Sequence, residues 1–227
     1  MSKNAHLDKA LQDSLKRLAA QKAIEFLPEG EVIGVGTGST VAFFIEALAQ
    51  VKEKIKGAIP TSKATTELLK KHDIPVFSLS EVDHFSAYFD GADEVNHSLQ
   101  MIKGGGGALL QEKLVGSAAT TFICMIDESK YTSRLGHFPL PVEVLPVARS
   151  YVARELIKLG AMPELRLNFT TDNGHQILDL HDFYIDEPLA MEDKINNIVG
   201  VMENGIFAKQ RADILVLAKQ SGVEVIR

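Results

Sequence analysis

The sequence predicts an α/β protein: a Rossmann-like wound parallel sheet with a smaller inserted α+β domain of ferredoxin-like order. Three observations predict it. Short apolar runs alternate with helical stretches through Ile126, a glycine-rich turn joins the first such run to its helix, and the rhythm changes at Phe138-Pro-Leu-Pro141. Beyond that point the order of elements becomes βαββαβ, which defines the insert at 138–207. The main domain then comprises 1–137 with 208–227.

In order, Leu7, Leu11, Leu15, Leu18 and Ala19, continued by Ala23, Ile24 and Leu27, place an apolar stripe on a helix that Pro28-Glu-Gly30 stops. Val32–Val35 reads as a buried strand, and a helix runs from Ser39 to Ala49. A strand near Ile55–Ile59, a helix over Ala64–Lys71 and strands at Pro75–Leu79 and Ala87–Phe89 continue the alternation. After Gly104–Gly107 come a helix over Ala108–Ala119 and a strand at Thr121–Ile126. The insert reads as strand Val142–Leu145, helix Ser150–Leu159, strand Glu164–Phe169, an Asn173-Gly174 hairpin turn, strand Gln176–Asp182, helix Leu189–Ile198 and strand Val201–Phe207. Ala212–Ala218 returns to the main sheet as its last strand.

Composition bounds the function. The chain has 227 residues, 45% of them hydrophobic and 24% charged, which suits a packed, enzyme-sized protein. A net charge of −6 without a Lys/Arg stripe gives no field for nucleic acid, so an anionic ligand needs local lysines and backbone N–H groups. The one cysteine, Cys124, lies in an apolar strand and reads as core. No apolar run approaches a membrane span and the first residues are not a leader, so the expected location is the cytoplasm. His6, His72, His84, His97, His137, His175 and His181 show no metal-ligand spacing, and no metal or cofactor is expected.

Three loops carry candidate chemistry. In Gly36-Thr-Gly-Ser-Thr40 the glycines admit an anion to the backbone, the helix start presents N–H groups, and Thr37, Ser39 and Thr40 add hydroxyls around Gly38; a small phosphate ester suits it. A dinucleotide suits it less, since the spacing is not G-x-G-x-x-G and the next strand ends in Pro60-Thr-Ser62. Asp90-Gly91-Ala92-Asp93 sets two carboxylates at a strand end, where a polyol ligand of an open sheet would lie. Lys103-Gly104-Gly105-Gly106-Gly107 leads into the helix of Glu112. Successive glycines are costly in a regular element and useful for wrapping a reacting oxygen. By spacing Glu112 falls off the Leu110–Leu114 stripe, as a surface residue would. Lys130, after the Thr121–Ile126 strand, could reach the same crevice, with a solvated loop lysine as the default reading, and Lys16 is similar.

Taken in this order and with these gaps, the three loops and Glu112-Lys113 resemble the type A ribose-5-phosphate isomerases, a similarity that continues through Phe138–Val144, Thr171-Asp-Asn-Gly174 and Gly205-Ile-Phe-Ala208. The resemblance implies a metal-free aldose–ketose isomerase of the non-oxidative pentose phosphate pathway, interconverting ribose 5-phosphate and ribulose 5-phosphate through an enediolate. It implies Glu112 as proton acceptor, catalytic support from Asp90, Asp93 and Lys103, and substrate contacts from 37–40, 90–93, 103–106, Lys130 and Lys16. It further implies a homodimer or homotetramer. Departures are the fourth glycine Gly107, Gln111 before Glu112, and Ala208-Lys-Gln-Arg211. Two other readings compete. A non-catalytic sugar-phosphate sensor would bring a DNA-binding segment, and an acyl or coenzyme A transferase would form a covalent intermediate on its carboxylate.

Overall fold

The computed structural model describes residues 8–227, so Leu7 and His6 lie outside the described residues. In chain order the elements are helix α1 (Lys9–Ala23), strand β1 (Val32–Val35), α2 (Ser39–Leu48), β2 (Gly57–Pro60), α3 (Lys63–Lys71), β3 (Ala87–Asp90), β4 (Glu94–Val95), β5 (Met101–Ile102), α4 (Leu109–Ala118) and β6 (Thr121–Asp127). There follow β7 (Leu140–Val144), α5 (Arg149–Lys158), β8 (Met162–Leu165), β9 (Gln176–His181), α6 (Pro188–Asn196), β10 (Val201–Asn204), β11 (Ile206–Phe207), β12 (Ile214–Lys219) and β13 (Gly222–Ile226). They form two compact units. The first comprises the described residues through Gly91, Val115–Tyr131 and Ala212–Arg227, and the second Ala92–Leu114 and Thr132–Arg211.

The first unit is built on a six-stranded sheet of order β13-β12-β6-β3-β1-β2. Its strands β2, β1, β3, β6 and β12 run parallel, and β13 returns antiparallel along β12. Strands of a parallel sheet are covered on both faces, which is why Val32–Val35 and Thr121–Asp127 are near-continuous apolar runs. Helix α1 turns Leu15, Ala19, Ala20 and Ala23 inward, and its alanines let it lie close on α2, β6 and β12. Since β1 stands between β2 and β3, the winding reverses there. Such a reversal opens a crevice at the carboxyl ends of the two strands.

The second unit contains the expected βαββαβ order, β7-α5-β8-β9-α6-β10, as an antiparallel sheet arranged β10-β7-β9-β8. Val142, Val144, Leu178 and Leu180 of the sheet pack with Val152, Leu156 and Ile195 of the helices. A separate small sheet, β11-β5-β4, is also part of this unit. The compact unit is therefore wider than 138–207, because β5, on the segment 92–114, pairs with β4 on one side and β11 on the other.

Several local expectations change. Pro75–Leu79 contributes one bridge, Val76 to Ala58, in place of a strand. Asn173-Gly174 does form a turn, with Gly174 donating to Thr171 O, but β8 ends at Leu165, so the connection to β9 spans 166–175 and is no tight hairpin. Val201–Phe207 divides into β10 and β11 in different sheets, because Gly205 bonds to Pro141 O and Lys103 N–H bonds to Gly205 O. Ala212–Ala218 does return to the main sheet, as β12, but β13 follows it as the last strand. Among the described residues no helix is long and apolar enough to cross a membrane.

Candidate active site

At the crevice of the first unit, the turn after β1 is braced from below. Gly36 N–H donates to Phe89 O at 2.8 Å, and a side-chain carbon at Gly36 would collide with the carboxylate of Asp90. Glycine is required here for space. Asp90 is fully buried; its Oδ1 accepts the N–H groups of Gly91 (2.7 Å) and Thr37 (3.2 Å), and its Oδ2 accepts the hydroxyl of Tyr88. The Thr37 hydroxyl lies 2.8, 2.9 and 3.2 Å from those of Thr61, Ser62 and Thr65, and Thr65 donates to Gly36 O at 2.8 Å. Asp90 and Thr37, both expected to touch a ligand, thus hold the turn in shape. Thr61, Ser62 and Thr65 escaped the sequence reading; their signal was the polar run at the end of β2, the strand beside β1.

Above this brace, Gly38 caps α2, with Ser39 exposed and Thr40 half-buried in its first turn. The first N–H groups of a helix have no intrahelical acceptor, so they present donors to an anion. Lys130 is half-buried in the turn after β6, where Ser129 accepts a hydrogen bond from Gln12 of α1 at 3.2 Å. Lys16 stands one turn beyond Gln12 on that helix and pairs with Asp13 at 3.7 Å.

In the second unit, Asp93 is half-buried and its Oδ2 accepts the N–H of Gly105 at 2.8 Å. This ties the second acidic residue to the glycine run. Lys103 follows β5 and Glu112 lies in the first turn of α4; their side chains are 3% and 4% exposed and meet at 3.3 Å. So deep a pair carries a desolvation cost that surface ion pairs do not, and it persists only with good compensation. The ammonium of Lys113, the next residue, lies within 3.0 Å of Glu192, Glu203, Asn204 O and Ile206 O. It also lies 4.7 Å from the centre of the Phe207 ring, over which Lys103 Nζ stands at 5.4 Å. A side chain placed on the solvent face by spacing is thus buried.

Sequence reasoning gave no role to Lys113 and Phe207, which entered only within matching motifs, and missed Arg166, whose guanidinium holds Gly104 O and Gly105 O. No local pattern announces them, because their partners are carbonyls or residues far along the chain. Among the described residues no three His, Cys, Asp or Glu are grouped to hold a metal ion.

A buried carboxylate against an ammonium, beside a glycine loop, can shuttle a proton at a carbon whose neighbouring oxygen takes up negative charge. Residues 57–222 match the sequence profile of ribose 5-phosphate isomerase A (phosphoriboisomerase A). The chain is 62% identical over 215 residues to the ribose-5-phosphate isomerase A of Neisseria meningitidis serogroup B, covering 95% of this chain and 96% of that protein. The crystal structure of ribose 5 phosphate isomerase A from Neisseria gonorrhoeae superposes with a TM-score of 0.93 at 61% identity, over 95% of this chain and 96% of that one. A D-ribose-5-phosphate isomerase in complex with phospho-erythronic acid gives a TM-score of 0.91 at 41% identity, over 95% and 98% of the two chains.

Proposed function

The chain belongs to the ribose 5-phosphate isomerase A family, and on that premise we propose that it interconverts D-ribose 5-phosphate and D-ribulose 5-phosphate with Glu112 as the proton acceptor. The observation that carries this reading is the buried Lys103–Glu112 pair. Asp93 takes the proton of the anomeric hydroxyl and passes it to the ring oxygen as the bond from C1 to that oxygen breaks and the ring opens. Glu112 then removes the proton from C2 of the open aldose, and the C1 carbonyl becomes an enediolate oxygen. Lys103 and the N–H groups of Gly104 and Gly106 stabilise that oxygen, a contribution that depends on donors already being in place. Return of the proton from Glu112 to C1, with transfer of the O2 proton to O1, leaves the C2 ketone.

The phosphate is assigned to Gly38, Ser39 and Thr40, with Lys130 and Lys16 supplying positive charge. Binding energy from this unreacting end helps to position C1 and C2. Asp90, with both oxygens already engaged, acts through the shape of the 36–40 turn, while Gly91 and Ala92 link it to Asp93. A place in the non-oxidative pentose phosphate pathway follows from the substrate pair. A cytoplasmic homodimer or homotetramer, suggested by the family resemblance, completes the reading; sedimentation in solution distinguishes the two assemblies.

Glu112→Gln tests the proton acceptor. Isomerisation and exchange of substrate hydrogen with solvent are expected to fall by about 10²–10⁴-fold, the usual contribution of a positioned base, while calorimetry still detects ribose 5-phosphate binding. Turnover near that of the unmodified protein would remove Glu112 from the role.

A further inference from the structure

The loop 166–175 between β8 and β9 lies against the glycine run within the second unit. Arg166 uses Nε and Nη2 on the two oxygens of Asp179, at 2.8 and 2.5 Å, and turns Nη1 toward Gly105 O (3.1 Å) and Gly104 O (3.4 Å). The planar fork makes this possible: a side-on pair with a carboxylate leaves the remaining nitrogen aimed in a fixed direction. The guanidinium also lies 5.2 Å from the centre of the Phe169 ring. That ring occupies the space a side chain at Gly107 would need, and Gly107 has φ +78, so the fourth glycine fits both the ring and the turn. Further along the loop, Asn173 accepts a hydrogen bond from Gln111, the residue before Glu112, at 2.8 Å. Its base is anchored on Glu143, fully buried, which accepts from Thr171 at 2.8 Å and meets His175 Nδ1 at 2.9 Å.

These contacts fix peptide planes. In a trans peptide the carbonyl and the following N–H point in opposite directions, and the described residues contain no cis bond. Holding Gly104 O therefore turns the Gly105 N–H away from the guanidinium, where it meets Asp93 Oδ2. Holding Gly105 O does the same for the N–H of Gly106. We infer that Arg166 is a positioning residue for the isomerisation, acting through the carbonyls of Gly104 and Gly105 to aim the next two N–H groups at Asp93 and at the enediolate oxygen. With Asp179 balancing its charge, Arg166 does not compete with Lys103 for an anion. This inference rests on the proposed role of the glycine loop in the isomerisation.

The test compares Arg166→Met, Arg166→Lys and Asp179→Asn with the unmodified protein, in ribose 5-phosphate turnover and in backbone amide exchange of Gly105 and Gly106. A misplaced donor set is expected to lower kcat in Arg166→Met by on the order of 10²-fold, with KM moving less than about threefold. Arg166→Lys keeps the charge but not the fork and is expected to fall nearly as far, with Asp179→Asn in between. Exchange at Gly105 should accelerate in all three. A kcat within twofold of the unmodified protein in Arg166→Lys, or unchanged Gly105 exchange in Arg166→Met, overturns the inference. A merely structural role would lower the unfolding midpoint alone. Should the unmodified protein not turn over ribose 5-phosphate, the functional reading fails, and the exchange measurement still decides whether Arg166 sets the loop.

Discussion

Gly36 shows how tightly a single position is constrained. It does not adopt a left-handed conformation, so the constraint is its missing side chain: a methyl group would press on an Asp90 carboxylate already held by Tyr88, Thr37 and Gly91. Gly36→Ala is expected to cost about 1–3 kcal/mol, the usual range for overpacking, and to weaken ribose 5-phosphate binding as the turn shifts. Urea unfolding with a titration of the ligand checks both; an unchanged midpoint and affinity would show that Asp90 moves aside freely. The need for glycine was legible in the sequence, but the reason was not, since Asp90 is remote in the chain. Glu112 is the opposite case. Its candidacy rested on its neighbours in sequence, yet spacing put it outside, because Leu110 and Leu114 looked like the buried stripe. Leu114 is instead 51% exposed, and the buried side of α4 carries Leu109, Glu112, Lys113 and Val115. The cations and carboxylates that permit this come from Lys103, Glu192 and Glu203, which no local pattern connects to α4.

At the scale of elements, strands of four or more residues were legible except β13, and the two-residue strands were not. β4, β5 and β11 are too short to show a period, yet they set Lys103 over Phe207. β4 also carries Glu94, 5% exposed, whose oxygens accept the N–H groups of Gly136 (2.7 Å) and Phe138 (2.8 Å). Burial pushes its pKa above the ordinary 4.5, and the two backbone N–H groups and His137 offset this only in part. A raised folded-state pKa means that the folded protein binds the proton more tightly than the unfolded chain. The Glu94 contribution to stability therefore grows as pH falls from neutral through the raised value, and levels off below the ordinary 4.5. Urea unfolding of the unmodified protein and Glu94→Gln, compared at stepped pH, should show the former gaining relative stability on acidification. A relative loss would mean that the backbone donors outweigh burial.

At the scale of the whole molecule, the α/β class, the wound parallel sheet and the ferredoxin-like order were legible, because each rests on runs long enough to show a period; the reversal of winding at β1 was not, since strand order is set by pairing. The extent of the second unit was not, since it depends on β11 pairing with β5 from the far side of the insert. The same long reach shapes the main sheet, where Ile214 pairs with Ile123 and β13 closes the edge. A chain ending at residue 211 lacks both strands and leaves β6 with unpaired N–H and C=O groups along one side. Such a chain is expected to aggregate and to show no cooperative urea transition; a soluble, cooperatively unfolding fragment would mean that β12 is dispensable. During synthesis this order of assembly has a cost. While the ribosome is still adding the last residues, β6 waits with a bare edge for a neighbour not yet made, and nascent copies on one message stand close enough to pair with each other. Chaperone demand should therefore peak late in translation, after most of the polypeptide has emerged.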